Sequence, residues 1–488
     1  MSNLYTRSLK LIKNEYVILS LIILFGFLVR LYKINNPLAD WHSWRQADTA
    51  SVTRRYIDEG INLLYPKYDD ISSIQTGLFN PVGYRNVEFP VFNFFHAVLL
   101  RIFGRFSLEV WGRILSIFSS LGSVVVIFLI GNKFVGSSGG LLAAFFFAFL
   151  PFNIYFSRVI LPEPMTVFFS LTSVYIYTKF IDTDSRIYLY VSGLFLAIAL
   201  LLKPYIIFYT IPLIYLTIKK YGFKQITKDF KLLLSFLIFV DIVFVPFFLW
   251  RAWINQHPEG IPFWTWAFNG DHIRFRPAFW RWIFSERLGN LILGIWGLTP
   301  FSFGLLKIRK TLFNHFFLFG MFLYVAVVAT ASVRHDYYQI FTIPAISLTL
   351  ASGTVFMWQA KNLNKYFSRL ILIFSLVLML GTSLYQVKEF YKINHPEIIE
   401  AGNALDKIAP KDVLVIAPYN GDTAFLYQTK RHGWPAVDDS FENIIKKGAS
   451  FYVTVNQGDS DTKYVVDHYK VVEKTDKYLI ADLRQKIK

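Results

Sequence analysis

The chain has no cysteine among its 488 residues, which excludes disulfides, thiolate metal sites and thiol catalysis whichever compartment its loops face. Charge is scarce as well. Only 17% of residues are Asp, Glu, Lys or Arg against 54% hydrophobic, too apolar a balance for a soluble protein of this length. Acids are the scarcer sign, 33 against 50 Lys and Arg, and the formal net charge is +17. In a membrane protein such an excess fixes orientation and meets anionic headgroups, so nucleic acid is set aside as a partner. Internal repeats and low-complexity linkers are also lacking. What is abundant is aromatic: 50 Phe, 28 Tyr and 12 Trp, suited to lipid-facing surfaces and interfacial belts.

Apolar runs of spanning length recur from Tyr16 to about Tyr385 and then stop. They predict an all-α polytopic membrane domain over residues 1–393 and a small α/β domain over 394–488. Eleven spans are expected: Tyr16 to Tyr32, Val110 to Phe134, Gly140 to Phe156, Pro164 to Phe180, Ile187 to Leu202, Tyr205 to Ile218, Leu232 to Trp250, Leu288 to Leu306, Leu312 to Thr330, Tyr338 to Trp358 and Phe367 to Tyr385. Arg7, Lys10 and Lys13 precede the first, which lacks a cleavage pattern and reads as a retained signal anchor. With eleven spans, the basic clusters Lys219, Lys220, Lys224, Lys228 and Lys231, then Lys307, Arg309 and Lys310, then Lys361, Lys365 and Arg369 share the N-terminal side. Basic residues resist translocation, so that side is inside a cytoplasmic (inner) cell membrane. Segments 35–109, 157–163, 253–287 and 333–336 and the tail then face out. The leftover run Pro90 to Phe103 is short and reads as a helix lying in the outer interface. In the tail, a helix over Pro396 to Ile408 and β-rich runs Val413 to Ala417, Phe451 to Val455 and Tyr464 to Leu483 are expected.

Sorting by side gathers Arg45, Arg54, Arg55, Arg85, Arg158, Arg274, Arg276, Arg281 and Arg334 on the outer face, against the usual bias. Arginine's planar fork matches phosphate oxygens, which points to an anionic substrate; headgroup contacts and internal salt bridges are the structural alternative. Carboxylates gather at the same level. The first outer loop opens with Asp40-Trp41-His42-Ser43-Trp44-Arg45-Gln46-Ala47-Asp48, and Glu88-Phe89-Pro90 and Pro162-Glu163-Pro164 follow. An acid at the bilayer edge is costly unless paired or hydrated, so each is a functional candidate. Asp40 or Asp48 suits a general base on a hydroxyl, with Glu88 and Glu163 as metal ligands or orienters. A helix from Ser43 to about Asp58 would put Asp48 on Arg45's face as that arginine's partner, which favours Asp40 without removing Asp48. His272, in Asp271-His272-Ile273-Arg274-Phe275, joins Glu88 as a candidate metal pair, since imidazole and carboxylate suit Zn²⁺ or Mn²⁺. Arg334, His335 and Tyr337 precede the tenth span, and Lys203-Pro204 breaks two apolar runs at the outer edge. Lys203 there either snorkels or neutralises a lipid phosphate.

With these residues the chain resembles the GT-C superfamily of membrane glycosyltransferases, in the bacterial branch related to protein O-mannosyltransferases and lipid A aminoarabinose transferases. The resemblance runs along the whole chain in element order. In that family an acid of the first outer loop is the catalytic base, here within Asp40 to Asp48, although the usual Asp-Glu pair is replaced by Trp44-Arg45-Gln46-Ala47-Asp48-Thr49. Glu88 before Phe89-Pro90, Glu163 in Leu161-Pro162-Glu163-Pro164-Met165, and Asp271-His272 are similar to the family's other acidic motifs. The resemblance implies Glu88 and His272 as ligands of a divalent metal (Zn²⁺, Mn²⁺ or Mg²⁺). It implies a polyprenyl-phosphate-linked sugar as donor, for which Arg45, Arg158, Lys203, Arg274, Arg334, His335 and Tyr337 of the outer face are the candidate binding residues. The expected reaction is transfer with inversion to a lipid, glycan or protein hydroxyl outside the membrane. A transporter or flippase of lipid-linked glycans is the alternative, and a catalytically dead scaffold a third.

Overall fold

Residues 15–308, 311–360 and 363–487 are described by a computed structural model. The basic residues Arg7, Lys10, Lys13, Arg309, Lys310 and Lys361 lie outside them. The chain divides into two units, one of residues 1–32, 116–249 and 265–389, the other of 33–115, 250–264 and 390–488.

The first unit is helical because its sequence is apolar over runs long enough to satisfy every backbone group within a helix. Among the described residues, four helices are long and apolar enough to cross a bilayer: Leu108–Val135, Phe230–Ile254, Asp336–Gln359 and Lys365–Tyr391. Together they make this a multi-pass membrane protein. They differ in surroundings. The apolar window of Asp336–Gln359 is 94% buried within the protein and that of Phe230–Ile254 only 17%, so the former is central and the latter offers its sides to lipid. Pro300 O would lie 1.8 Å from a Cβ at Gly353, so helix Leu298–Leu306 can press on Ile343–Gln359 only over a glycine.

Several expected spans are broken rather than continuous. Gly140 to Phe156 is Ser137–Phe149 followed by Pro151–Phe156, because Pro151 opens a new helix after the extended Leu150. Leu288 to Leu306 is a wide-wound helix, Trp282–Ile292, then a turn, then Leu298–Leu306. In the turn Gly294 (φ +50°) would set a Cβ 2.3 Å from Thr382 Oγ1, so the bend needs glycine, and Thr382 instead donates to Gly294 O at 2.7 Å. Tyr205 to Ile218 and Tyr338 to Trp358 both begin in tighter 3₁₀ turns, Pro204–Thr210 and Asp336–Thr342.

In the second unit the tail forms a five-stranded sheet, β1 (Leu414–Ile416), β2 (Gly433–Trp434), β3 (Ala449–Thr454), β4 (Tyr469–Lys474) and β5 (Leu479–Lys486), in the order β2-β1-β3-β5-β4. β1 runs parallel to β2 and β3, while β5 is antiparallel to β3 and β4. The run Tyr464 to Leu483, expected as β-rich throughout, opens as part of helix Ser460–His468 before the hairpin; Asp459 caps that helix by accepting from Thr462 N at 2.7 Å. The segment between the first two apolar helices, residues 33–107, folds with the tail. Ile71 N donates to Gly433 O and Gly433 N to Asp69 O, both at 3.0 Å, so the loop extends the sheet beside β2. The leftover apolar run is helix Val91–Phe103. At about 1.5 Å per residue it is too short for a hydrocarbon core about 30 Å thick. Its Phe92, Asn93, His96 and Ala97 are buried while Ile102 and Phe103 are exposed.

Candidate functional site

In the second unit, helix Ser43–Asp58 starts just after His42, which bends the chain through a left-handed φ of 54°. The bend folds Asp40 back over the first turn. Gln46 Nε2 donates to Asp40 Oδ1 at 2.7 Å and to Trp41 O at 3.3 Å. Asp40 is 4% exposed and Gln46 fully buried. Asp48, two residues on and equally buried, has other partners. Its Oδ2 accepts from Arg85 Nη2 at 2.5 Å and its Oδ1 from Thr423 Oγ1 at 2.6 Å. Arg45 pairs with Glu88, and Arg55 and Arg54 with Asp69. The expected Arg45–Asp48 pair along one helix face is therefore not formed. The helix is wrapped by its own loop and by the tail, and these supply better-aligned partners than an exposed helix face would.

Two further acids surround Asp48. Burial pushes the Asp70 carboxyl up to about 6, with the Asp48 charge adding to it, although Ser72 N donates to its Oδ1 at 2.8 Å. Burial likewise pushes Asp422 up to about 6, again with Asp48 contributing, and Asp422 caps helix Thr423–Thr429. Gln46, Thr423 and Asp422 were not singled out from sequence. Gln46 stood inside the quoted motif, but nothing marked Thr423, which is 375 residues from its partner Asp48.

In the first unit, Arg158 is fully buried in the bend between helices Pro151–Phe156 and Glu163–Thr183, with its guanidinium 5.8 Å from the centre of the Tyr155 ring. Glu163, fully buried, opens the second of these helices behind Pro162. Lys203 ends helix Arg186–Leu202 in an extended conformation that Pro204 enforces, and its Nζ lies 3.1 Å from Glu163 Oε1. So the lysine that breaks two apolar runs is ion-paired inside the protein rather than snorkelling to water.

Elsewhere in the first unit, Arg334 Nη2 is 3.1 Å from Asp271 Oδ2, and Thr330 Oγ1 donates to Asp271 Oδ1 at 2.7 Å. The Thr330 hydroxyl, with Arg334 beside it, holds Asp271 below the usual carboxylate range. Arg274 Nη1 donates to Ala326 O at 2.9 Å. His335 stacks against buried Tyr337 and meets Trp266 edge-on. The neighbouring Asp336 pairs with Arg287, an arginine the sequence did not single out.

Glu88 is committed to Arg45, and His272 is an exposed residue with a left-handed φ of 54°. Among the described residues no group of three or more His, Asp or Glu side chains stands close enough to hold a metal ion.

Residues 87–250 match the family model described as dolichyl-phosphate-mannose-protein mannosyltransferase. No curated protein matches the chain. Among solved structures, the chain is similar to ArnT from Cupriavidus metallidurans bound to undecaprenyl phosphate, with 12% identity, a TM-score of 0.62 and coverage of 95% of this chain and 97% of that one. The apo form of the same protein gives a TM-score of 0.63 at the same identity and coverage. The oligosaccharyltransferase of Archaeoglobus fulgidus, in complex with Zn and sulfate, is similar at 11% identity and a TM-score of 0.54, over 91% of this chain and 69% of that one. Over nearly its whole length the chain thus carries the fold of ArnT, the GT-C fold.

Proposed function

We propose that the chain is an integral-membrane glycosyltransferase that passes a sugar from a polyprenyl-phosphate donor to an acceptor hydroxyl with inversion. The observation that carries this reading is Asp40, a buried carboxylate held by the neutral amide of Gln46 at 2.7 Å. Asp40 stands before helix Ser43–Asp58, at the start of the loop that follows the first apolar helix, where a base on an incoming hydroxyl is expected, whereas both Asp48 oxygens are taken up by Arg85 and Thr423. Asp40 is therefore assigned as the base.

In the reaction Asp40 takes the acceptor hydroxyl's proton as its oxygen bonds to the anomeric carbon. The bond from that carbon to the phosphate oxygen breaks, and the electron pair leaves on polyprenyl phosphate. The phosphate departs already charged, so the protein contributes position and counter-charge. Arg158, Lys203 and Arg334 are assigned to that charge, with Glu163 fixing the Lys203 ammonium and His335 and Tyr337 walling the donor. Arg45 serves the first loop by holding Glu88. A lipid-linked donor is supported by the undecaprenyl phosphate bound to the similar ArnT. Lipid, glycan and protein hydroxyls remain the acceptor classes, and the outer face of the cytoplasmic membrane is the side assigned to the reaction, from the distribution of basic loops.

The test is to incubate purified protein with radiolabelled polyprenyl-phosphate sugars and cell-envelope fractions. Label appearing in an envelope product, with release of polyprenyl phosphate, supports transfer. Label that only changes side of a sealed vesicle, still attached to its lipid, would make the protein a flippase instead.

A further inference from the structure

We propose that segment 272–285 lies in the membrane interface and engages anionic phospholipid headgroups, a role separate from sugar transfer. The segment reads His272-Ile273-Arg274-Phe275-Arg276-Pro277-Ala278-Phe279-Trp280-Arg281-Trp282-Ile283-Phe284-Ser285, with three arginines, five Phe or Trp and no acid. It is built of short pieces, a turn Ile273–Phe275, helix Pro277–Arg281 and the start of the wide-wound helix Trp282–Ile292, so its two faces are fixed by packing. Phe279 and Ile283 turn inward and are buried. Phe275 is 74% exposed, and Trp282 and Phe284 are exposed with it.

Those outward rings are not an isolated patch. Trp280 stacks between Phe284 at 6.1 Å and Phe322 at 5.5 Å, and Phe322 stacks on Phe319 at 6.5 Å. Phe319 and Phe322 are exposed positions of the apolar helix Phe313–Val327. The aromatic face of the segment thus continues the lipid-facing side of that helix, which selects a bilayer over a soluble partner.

The arginines give the headgroup preference. Arg274 is tied to Ala326 O, whereas the Arg281 side chain is 79% exposed, with Glu286 only at 3.5 Å, and Arg276 is exposed with no acidic partner among the described residues. Two outward arginines between exposed rings place cations at phosphate depth while the rings enter the acyl boundary. Each basic residue near an anionic surface favours acidic over zwitterionic lipid about fivefold.

The absence of cysteine makes the test clean. Single-cysteine variants Phe275→Cys and Trp282→Cys of the full chain, with Asp459→Cys in the tail as an aqueous control, carry nitroxide labels in nanodiscs of phosphatidylcholine with or without phosphatidylglycerol. Labels at 275 and 282 should collide with oxygen and be shielded from a water-soluble nickel chelate, the reverse of the control. Lipid co-purifying with the chain should be enriched in phosphatidylglycerol, and the Arg276→Gln/Arg281→Gln variant should lose about tenfold or more of that preference. Nickel access at 275 and 282 equal to the control, or shielding from both reagents as under a protein partner or a second copy, overturns the bilayer assignment. Unchanged phosphatidylglycerol preference in the double variant overturns the headgroup assignment.

Discussion

Gln46 holds Asp40 through one hydrogen bond of 2.7 Å made backwards from the first turn of a helix to the residue before it, with both side chains sealed from solvent. Asp40→Asn should lower turnover by roughly 10²- to 10⁴-fold while donor still binds, because only the proton acceptor is lost. Gln46→Leu keeps the carboxylate but removes this one hydrogen bond, so turnover should fall by only about 3- to 10-fold, with donor affinity unchanged. Near-normal turnover in Asp40→Asn would move the base elsewhere.

Asp48 and Arg85 form a buried ion pair inside the unit that the first loop and the tail build together. Removing one member strands the other charge, so Arg85→Leu should destabilise that unit by about 3–5 kcal/mol. The double variant Arg85→Leu/Asp48→Leu should recover much of the loss. Thermal unfolding and limited proteolysis of the full chain in detergent read both, and a recovery would identify the pair as structural.

Arg158 and Lys203 are the buried cations assigned to the donor phosphate. Loss of a charge-assisted hydrogen bond costs about 1.5–3 kcal/mol, so Arg158→Ala and Lys203→Ala should each weaken donor binding roughly 10- to 150-fold. Arg334, half-exposed and paired with Asp271, should show a smaller effect. Titration with a polyprenyl phosphate measures all three, and equal affinities across the set would make these cations structural.

Asp70 and Asp422 give the second unit an unusual pH response. Both carboxyls are raised to about 6, above their unfolded value of about 4. Their contribution to stability is fully present below about pH 4 and is lost as pH rises through 6. Asp406 and Asp482, held down by burial-resistant bonds from Lys411, Lys430 and Arg431 and from Arg484, act the other way and lose stability as pH falls below about 4. Thermal stability of the full chain should therefore rise by about 1–2 kcal/mol between pH 7.5 and 5.5 and fall again in stronger acid. Asp70→Asn should flatten the rise, since Asn still accepts from Ser72 N but cannot ionise.

The helix over Ser43 to Asp58, the helix of Val91–Phe103, most apolar runs and the start of the tail were legible because each is a local pattern of periodicity, length or turn chemistry. The breaks inside the expected spans were less so. Gly294 and Gly353 are ordinary in sequence, and only the neighbouring Thr382 and Pro300 make glycine obligatory there. The run Tyr464 to Leu483 misled because β-branched residues near its start serve a capped helix, and the cap lies outside the run.

By itself the sequence determined that this is a membrane protein with a soluble-composition tail, and that acids and arginines concentrate in a few loops. Both properties are sums over neighbouring residues, and no fold is needed to compute them. Which acid meets which cation was decided only by tertiary structure. Asp48 stands three residues from Arg45 yet pairs with Arg85 and with Thr423, 375 residues away, while Arg45 reaches Glu88. A buried charge takes the partner whose geometry best repays its desolvation, and that partner is fixed by how the loop and the tail close around the helix rather than by distance along the chain.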